Sequence, residues 1–376
     1  PRLSPYIRHG LIDLPTAWDA VAGGPGRHVG RFRDELLWQE YARHLYARVG
    51  SRLGTALRAE PPLAAGAATG EPWDRAMACM ELTAGELERD GWLVNQTRMW
   101  MASQWSVRHG RDWREGESRF FAHLLDGSRA ANLLGWQWTV GTATGRPYGF
   151  SRWQVEKRAP GLCATCPLAS RCPIEDWPPD APSRRIPPPP ALRADPDPAA
   201  TAGPSEPSSD WTNARGPFGH DPENLDGNRV PGHSSNWTSG RGPIGPPPAP
   251  GAVWLTAESL GDADPALAAH PDLPAVFVFD APMLARVRLS GKRLVFLAET
   301  LAGLGRRRPV RVLRGEPRAL LGGMAVAVTH APVPGFRRRA EEIRPVVVHP
   351  WPWLRRPHGG PAGSFSAWVR AARTGG

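Results

Sequence analysis

Apolar residues recur at i, i+3, i+4 and i+7 through the first half of the chain. The pattern is clearest in DELLWQEYARHLYARV from Asp34 and RAMACMELTAGELERDGWLVNQTRMWMASQW from Arg75. That period predicts amphipathic helices. Gly23-Gly24 and Pro61-Pro62 interrupt it, as helix breakers do. Alternating strand patterns are few, so residues 1–178 read as one mostly helical domain. From Val253 the rhythm changes. Short apolar runs, AVFVFD, VRVLRG, MAVAVTH and PVVVH, are separated by helical stretches such as RLVFLAETLAGL and RRRAEEI. Such strand–helix–strand alternation predicts a parallel sheet with crossover helices, a small α/β domain over 251–350. Residues 351–376 read as a loosely ordered tail.

Between the two domains lies a stretch with neither period. PPPP at 187–190 and PPP at 246–248 bracket Ser, Asp and Gly. A segment of that composition buries too little apolar surface to fold, so 179–250 is read as a disordered linker. Within it, WTNARGPFG from Trp211 is echoed by WTSGRGPIG from Trp237. The echo is either duplicated low-complexity sequence or a short docking peptide.

Composition adds charge. The 376 residues carry a formal net charge of +10, which predicts attraction to polyanions, nucleic acid first; a GC-rich genome that writes Arg freely gives the same excess. The 43 Pro and 41 Gly are too many for one compact domain, in keeping with two domains and a linker. Four Cys are too few for a disulfide framework. No signal peptide opens the chain, and no apolar run approaches the roughly 18 residues of a membrane span. A cytoplasmic protein without a membrane partner is expected. The chain opens on Pro1, as a fragment would.

Three constellations carry candidate chemistry. Asn95 and Arg98 lie one turn apart on a predicted helix, with Asp126 and Asn132 downstream. A buried Arg needs a partner, and Asp126 is the natural one. The pair is either a helix-pinning ion pair or the floor of a site for a planar cofactor. Second, Trp38, Trp92, Trp100, Trp105, Trp113, Trp136, Trp138 and Trp153 all fall in the first domain. Their uses are core packing, stacking on bases, or relaying single electrons. Third, Cys163, Cys166 and Cys172 are spaced C-x2-C-x5-C and followed by Pro173, with Cys79 upstream. Four thiolates suit zinc or a [4Fe-4S] cluster.

These stretches resemble the photolyase/cryptochrome family. LSPYIRHGLI at 3–12, DELLWQEY at 34–41, GWLVNQTRM, DWREGE and LLDGSRAANLLGWQW carry the likeness, which covers most of 1–155. It implies an all-α FAD-binding domain. Leu3, Ser4, Asn95, Arg98, Asp126, Ala130 and Asn132 would contact FAD, with Asn132 facing the flavin N5. Glu35, Trp38, Met99 and Trp138 match the lesion pocket, which together with Asn132 would make the catalytic set. Trp136 and Trp113 match the inner and middle members of an electron-transfer chain. The outer member would fall near PPLAAGAATG, which has no Trp. Gln39 stands where the family has Arg, and Ser128 where it has an acid. A Thr-Ser pair that ordinarily precedes LSP is not here.

The order of Cys79, Cys163, Cys166 and Cys172, with RPYGFSRWQ and CPIEDW around them, resembles the iron–sulfur bacterial branch. That likeness implies a [4Fe-4S] cluster. VWLTAESLGDADPALAA, LPAVFVFD and VRVLRGEP resemble the family's antenna domain, here permuted to follow the helical domain, and GSFSAWVRAAR resembles the segment that ordinarily leaves it. TAESL replaces the usual Arg-Arg-Asp-Leu-Arg, so an antenna chromophore is not carried over. The resemblance implies light-driven splitting of cyclobutane pyrimidine dimers by a monomeric lyase acting on UV-damaged DNA. Its rivals are a blue-light sensor without repair and a flavin-free DNA-binding protein.

Overall fold

A computed structural model describes residues 2–61, 69–178, 183–209 and 248–374. The first half is helical: α1 (Ser4–Arg8), α2 (Leu14–Ala20), α3 (Gly26–Val49), a two-residue strand β1 (Ala59–Glu60), then α4 (Ala78–Arg89), α5 (Asn95–Ala102), α6 (Trp113–His123), α7 (Arg129–Thr139) and α8 (Arg152–Arg158). Local chemistry sets several boundaries. The Asp13 carboxylate accepts from the Thr16 N–H and caps α2, and Asp112 does the same for α6 through Arg114. Gly50, at φ 58°, ends α3. The long helical pattern from Arg75 is cut in two at Gly91, whose φ is +63° and where an added Cβ would lie 2.8 Å from the His123 carbonyl. Beyond α5 the helix widens into a π-helical turn over Ser103–Arg108.

The second half begins after β2 (Arg184–Arg185) and α9 (Pro198–Ala202). It runs β3 (Ala252–Leu255), α10 (Pro265–Ala269), β4 (Ala275–Asp280), α11 (Ala281–Val287), α12 (Gly291–Gly305), β5 (Val310–Gly315), α13 (Pro317–Leu321), β6 (Val326–Thr329), α14 (Phe336–Ile343) and β7 (Val347–His349), and α15 (Phe365–Thr374) follows. The five strands β3–β7 form one parallel sheet in the order β5-β4-β3-β6-β7. One apolar layer, with Leu267, Leu297 and Leu301, covers one face, and another, with Phe336, Ala340 and Ile343, covers the other. Alternation of β-branched runs with helices predicts this parallel arrangement. No helix among the described residues is long and apolar enough to cross a membrane.

The halves meet at a polar seam. The His9 ring touches the Ala257 carbonyl at 2.7 Å and the Leu125 carbonyl at 3.1 Å. Arg8 pairs with Glu258 at 2.5 Å. Arg293 donates to the Phe121 and Gly127 carbonyls. Gly10, at φ +67°, lets the backbones close up; a Cβ there would sit 2.1 Å from the Glu258 carbonyl.

Two expectations are corrected. The stretch 179–250 is not a featureless linker where it is described. Over 183–209, β2 pairs with β1, Leu192 and Ala202 are buried, and Asp195 faces Arg48 on α3. The prolines there fix φ without opposing an extended path, and a few apolar residues suffice to dock it. The repeat at Trp211 and Trp237 lies outside the described residues. The tail is not loose either. Trp368 on α15 is fully buried against α3, and its indole N–H donates to His44.

Candidate functional site

The site grows from the turn between α4 and α5. Val94 in extended conformation starts α5, which puts Asn95 and Arg98 on consecutive turns of one short helix. The Arg98 Nη2 donates to Asp126 Oδ2 at 2.7 Å, and its Nε donates to the Leu93 carbonyl at 3.1 Å. Asp126, on the loop between α6 and α7, is buried, while Arg98 stays partly exposed. The other carboxylate oxygen, Oδ1, is buried with no hydrogen-bond partner among the described residues. An unpaired buried acceptor is costly, and Asp195 Oδ2 is left in the same state.

Asn132 lies one turn into α7 and is buried. Its Nδ2 donates to Glu117 Oε1 at 2.9 Å and to the Glu117 carbonyl at 3.1 Å. Glu117 also forms an ion pair with Arg129. Burial pushes the Glu117 carboxyl up, against the pull of Arg129 and Asn132. Glu117 is the site residue that sequence reasoning missed, although it ends the DWREGE motif; its signal was an acid four residues after Trp113 on the same helix face. Helices α6 and α7 approach closely because Gly116 has no side chain. A Cβ there would fall 2.2 Å from the Trp136 ring.

Ser4 opens α1, and its Oγ accepts from the Trp92 indole at 3.1 Å. That bond ties α1 to the turn bearing Asn95. Leu3 precedes it, packed on the Ile7 and Leu14 cluster. Ala130 is buried at the start of α7, and Asn95 is exposed. Glu35 and Trp38 are exposed on α3, which packs against α7. Burial and the neighbouring Asp34 push the Glu35 carboxyl up. Met99 is half-buried on α5. Trp138 is 41% exposed and lies 5.5 Å from the Tyr148 ring, which Gln96 holds through a 2.9 Å bond to the phenol oxygen.

The two expected relay residues are both buried but are not in ring contact. Trp136 meets Phe120 at 5.1 Å, and Phe120 leads on to Trp73 at 5.8 Å and Trp105 at a further 5.0 Å. Among the described residues Trp113 has no aromatic neighbour in ring contact; the Arg114 guanidinium lies over it at 5.7 Å.

The four cysteines come together. Cys79 on α4 and Cys163, Cys166 and Cys172 on the turns after α8 line one cavity, closed by Met77, Leu162 and Ile174. None forms a disulfide. The Cys166 sulfur accepts from the Ala78 N–H at 3.4 Å. Burial first, then the neighbouring thiols, push the Cys79 thiol up to about 12. Among the described residues no three Cys, His, Asp or Glu side chains are arranged to hold a single metal ion; the thiols rim a space instead of converging on a point.

Residues 32–155 match the family described as FAD binding domain of DNA photolyase. The chain is 32% identical over 148 residues to a deoxyribodipyrimidine photo-lyase of Thermus thermophilus, covering 37% of this chain and 35% of that protein. It is 32% identical over 141 residues to that of Escherichia coli, covering 36% and 29%. With the enzyme of a Synechococcus strain it shares 28% over 152 residues, covering 37% and 31%. The matched part thus spans about a third of the length of these relatives. Over residues 32–155 the chain is similar to the FAD binding domain of DNA photolyases.

Proposed function

We propose that the chain is a flavin-dependent DNA photolyase that splits cyclobutane pyrimidine dimers in light. The observation that carries the reading is the half-open Arg98–Asp126 pair within the stretch similar to the FAD binding domain of DNA photolyase. Asn95, Arg98, Asp126 and Asn132 would offer donors and acceptors to the FAD ring, and Leu3, Ser4 and Ala130 would complete its contacts, as the likeness of 32–155 to the FAD binding domain supports. When bound and reduced, FAD would supply the electron that opens the cyclobutane ring in light. Arg98 keeps the charge of Asp126 fixed. Glu117 holds the Asn132 amide in one orientation, so its oxygen faces away from the acid. Trp38 and Trp138 offer exposed indoles on which a flipped-out lesion stacks, and Glu35 offers a carboxyl at the edge of the same helix. The charge of +10 would hold DNA phosphates, with affinity falling as salt rises.

The cysteine cavity is read as a [4Fe-4S] site. Thiols spread around a space suit a multi-iron cluster better than one tetrahedral zinc. Thiols must lose their protons to bind iron, so loading strengthens with pH. Cys79→Ser is expected to remove most bound iron; iron content by colorimetric assay checks it. The α/β half is read as an antenna-like domain without a chromophore.

The deciding experiment is blue-light repair of a dimer-containing oligonucleotide by the purified, reduced, flavin-loaded protein. Repair under light and none in the dark is expected. FAD retention without repair would favour a light sensor, and no FAD uptake would leave a flavin-free DNA-binding protein.

A further inference from the structure

Trp38 is not an isolated indole. Phe365, the first residue of α15, stacks on it with ring centroids 3.9 Å apart and planes 9° from parallel. Tyr41 meets both rings edge-on, at 5.9 Å from Trp38 and 5.8 Å from Phe365. Even so, Trp38 remains 42% exposed, whereas Trp100, Trp105 and Trp136 are each 2% exposed. One face is taken and the rest is open.

The segment that delivers Phe365 is anchored. The Tyr41 hydroxyl donates to the Ala362 carbonyl at 2.9 Å, and Arg48 donates to the Gly360 carbonyl at 2.7 Å. Trp368 is fully buried and bonded to His44 at 3.0 Å. All three holding residues belong to α3, the helix that carries Trp38. A segment so fixed is a wall, not a lid.

We propose that Phe365 is a positioning residue of the lesion pocket: it holds the Trp38 ring as a pre-set platform for a flipped pyrimidine pair. The inference rests on the photolyase reading above. Its physical content is entropic. A free indole on a helix surface must be ordered when a base stacks on it, and that ordering opposes binding. A ring already stacked on one face meets the ligand without that loss, and the aromatic pair adds its own contact energy.

The test measures affinity for dimer-containing and undamaged duplexes of the same sequence, by fluorescence anisotropy, for the full chain and for Phe365→Leu, Phe365→Ala and Phe365→Tyr. Leu keeps the burial and removes the aromatic face. Phe365→Leu is expected to weaken dimer binding about 2- to 10-fold. Affinity for undamaged duplex, flavin content and melting temperature should stay as in the parent, and Phe365→Tyr should restore dimer affinity. The ring-splitting yield per bound complex should not change. Tighter dimer binding by Phe365→Ala would mean that Phe365 occupies the lesion's place, and would overturn the proposal. So would equal loss on both duplexes with a lowered melting temperature, which marks a structural role only. If the parent protein itself shows no preference for the dimer, the photolyase reading falls, and this inference with it. If the parent discriminates and Phe365→Leu discriminates equally, the inference alone falls.

Discussion

Two Arg–Asp pairs sit in the helical half and look alike on paper. Arg48 faces Asp195 at 3.4 Å, and Arg98 faces Asp126 at 2.7 Å. Their surroundings differ. Arg48 also donates to the carbonyls of His358 and Gly360, its Nε and Asp195 Oδ2 stay buried without a hydrogen-bond partner among the described residues, and both side chains are shut away from solvent. Arg98 makes one backbone bond, keeps a quarter of its surface open, and leaves Asp126 Oδ1 without a donor. A buried ion pair is therefore no sign of a ligand by itself. Nor is an unpaired acceptor, since Asp195 Oδ2 is one too; the sign is a pair whose guanidinium still reaches solvent, as that of Arg98 does.

The sharpest way to break that contrast is Arg48→Ala. It strands Asp195 as a buried charge and frees two loop segments, so a loss of about 3–5 kcal/mol is expected by chemical denaturation. A loss below about 1 kcal/mol would put Arg48 in the same class as a surface pair. Next comes a change without charge at the seam. Gly10→Ala forces a Cβ into the Glu258 carbonyl at a left-handed φ and is expected to cost about 1–3 kcal/mol, read in the same denaturation curves. Asp126→Asn tests the other member of the contrast. It is expected to weaken flavin retention about tenfold, equivalent to about 1.4 kcal/mol, measured as bound flavin after gel filtration; unchanged retention would return the pair to plain helix pinning. The smallest effect belongs to Arg75, which bridges Glu81 and Glu88 in solvent. Arg75→Ala should shift stability by no more than about 0.5 kcal/mol, a difference visible only in replicate melts.

What could be read in the sequence follows from distance along the chain. Arg98 on α5 and Asp126 just after α6 are 28 residues apart, and helical spacing with the DWREGE and LLDGSRAANLLGWQW motifs suffices to pair them. The parallel sheet was legible because most of its strands are contiguous apolar runs, with β5 (VRVLRG) the exception. Arg48 and Asp195 were not legible as partners. Asp195 lies in a Pro-rich stretch whose average composition argues against any fold, and its docking depends on single residues such as Leu192 and Ala202. Nor was α15, since nothing local marks Trp368 for burial against a helix more than 300 residues earlier. Trp73 escaped for a related reason: its place beside Phe120 and Trp105 is set by tertiary packing, not by period.

The grip of α3 on the distant end of the chain bears on modularity. Glu40 accepts the backbone N–H groups of Leu354 and Arg355, His44 accepts from Trp368, and Arg48 holds the carbonyls of His358 and Gly360. Excision of residues 1–178 as a freestanding unit would strip partners from three polar side chains that the full chain keeps in its interior. The two halves are thus not interchangeable cassettes that recombination can shuffle. Any graft that borrows the helical half must bring residues 190–203 and 351–374 with it, or redesign one face of α3.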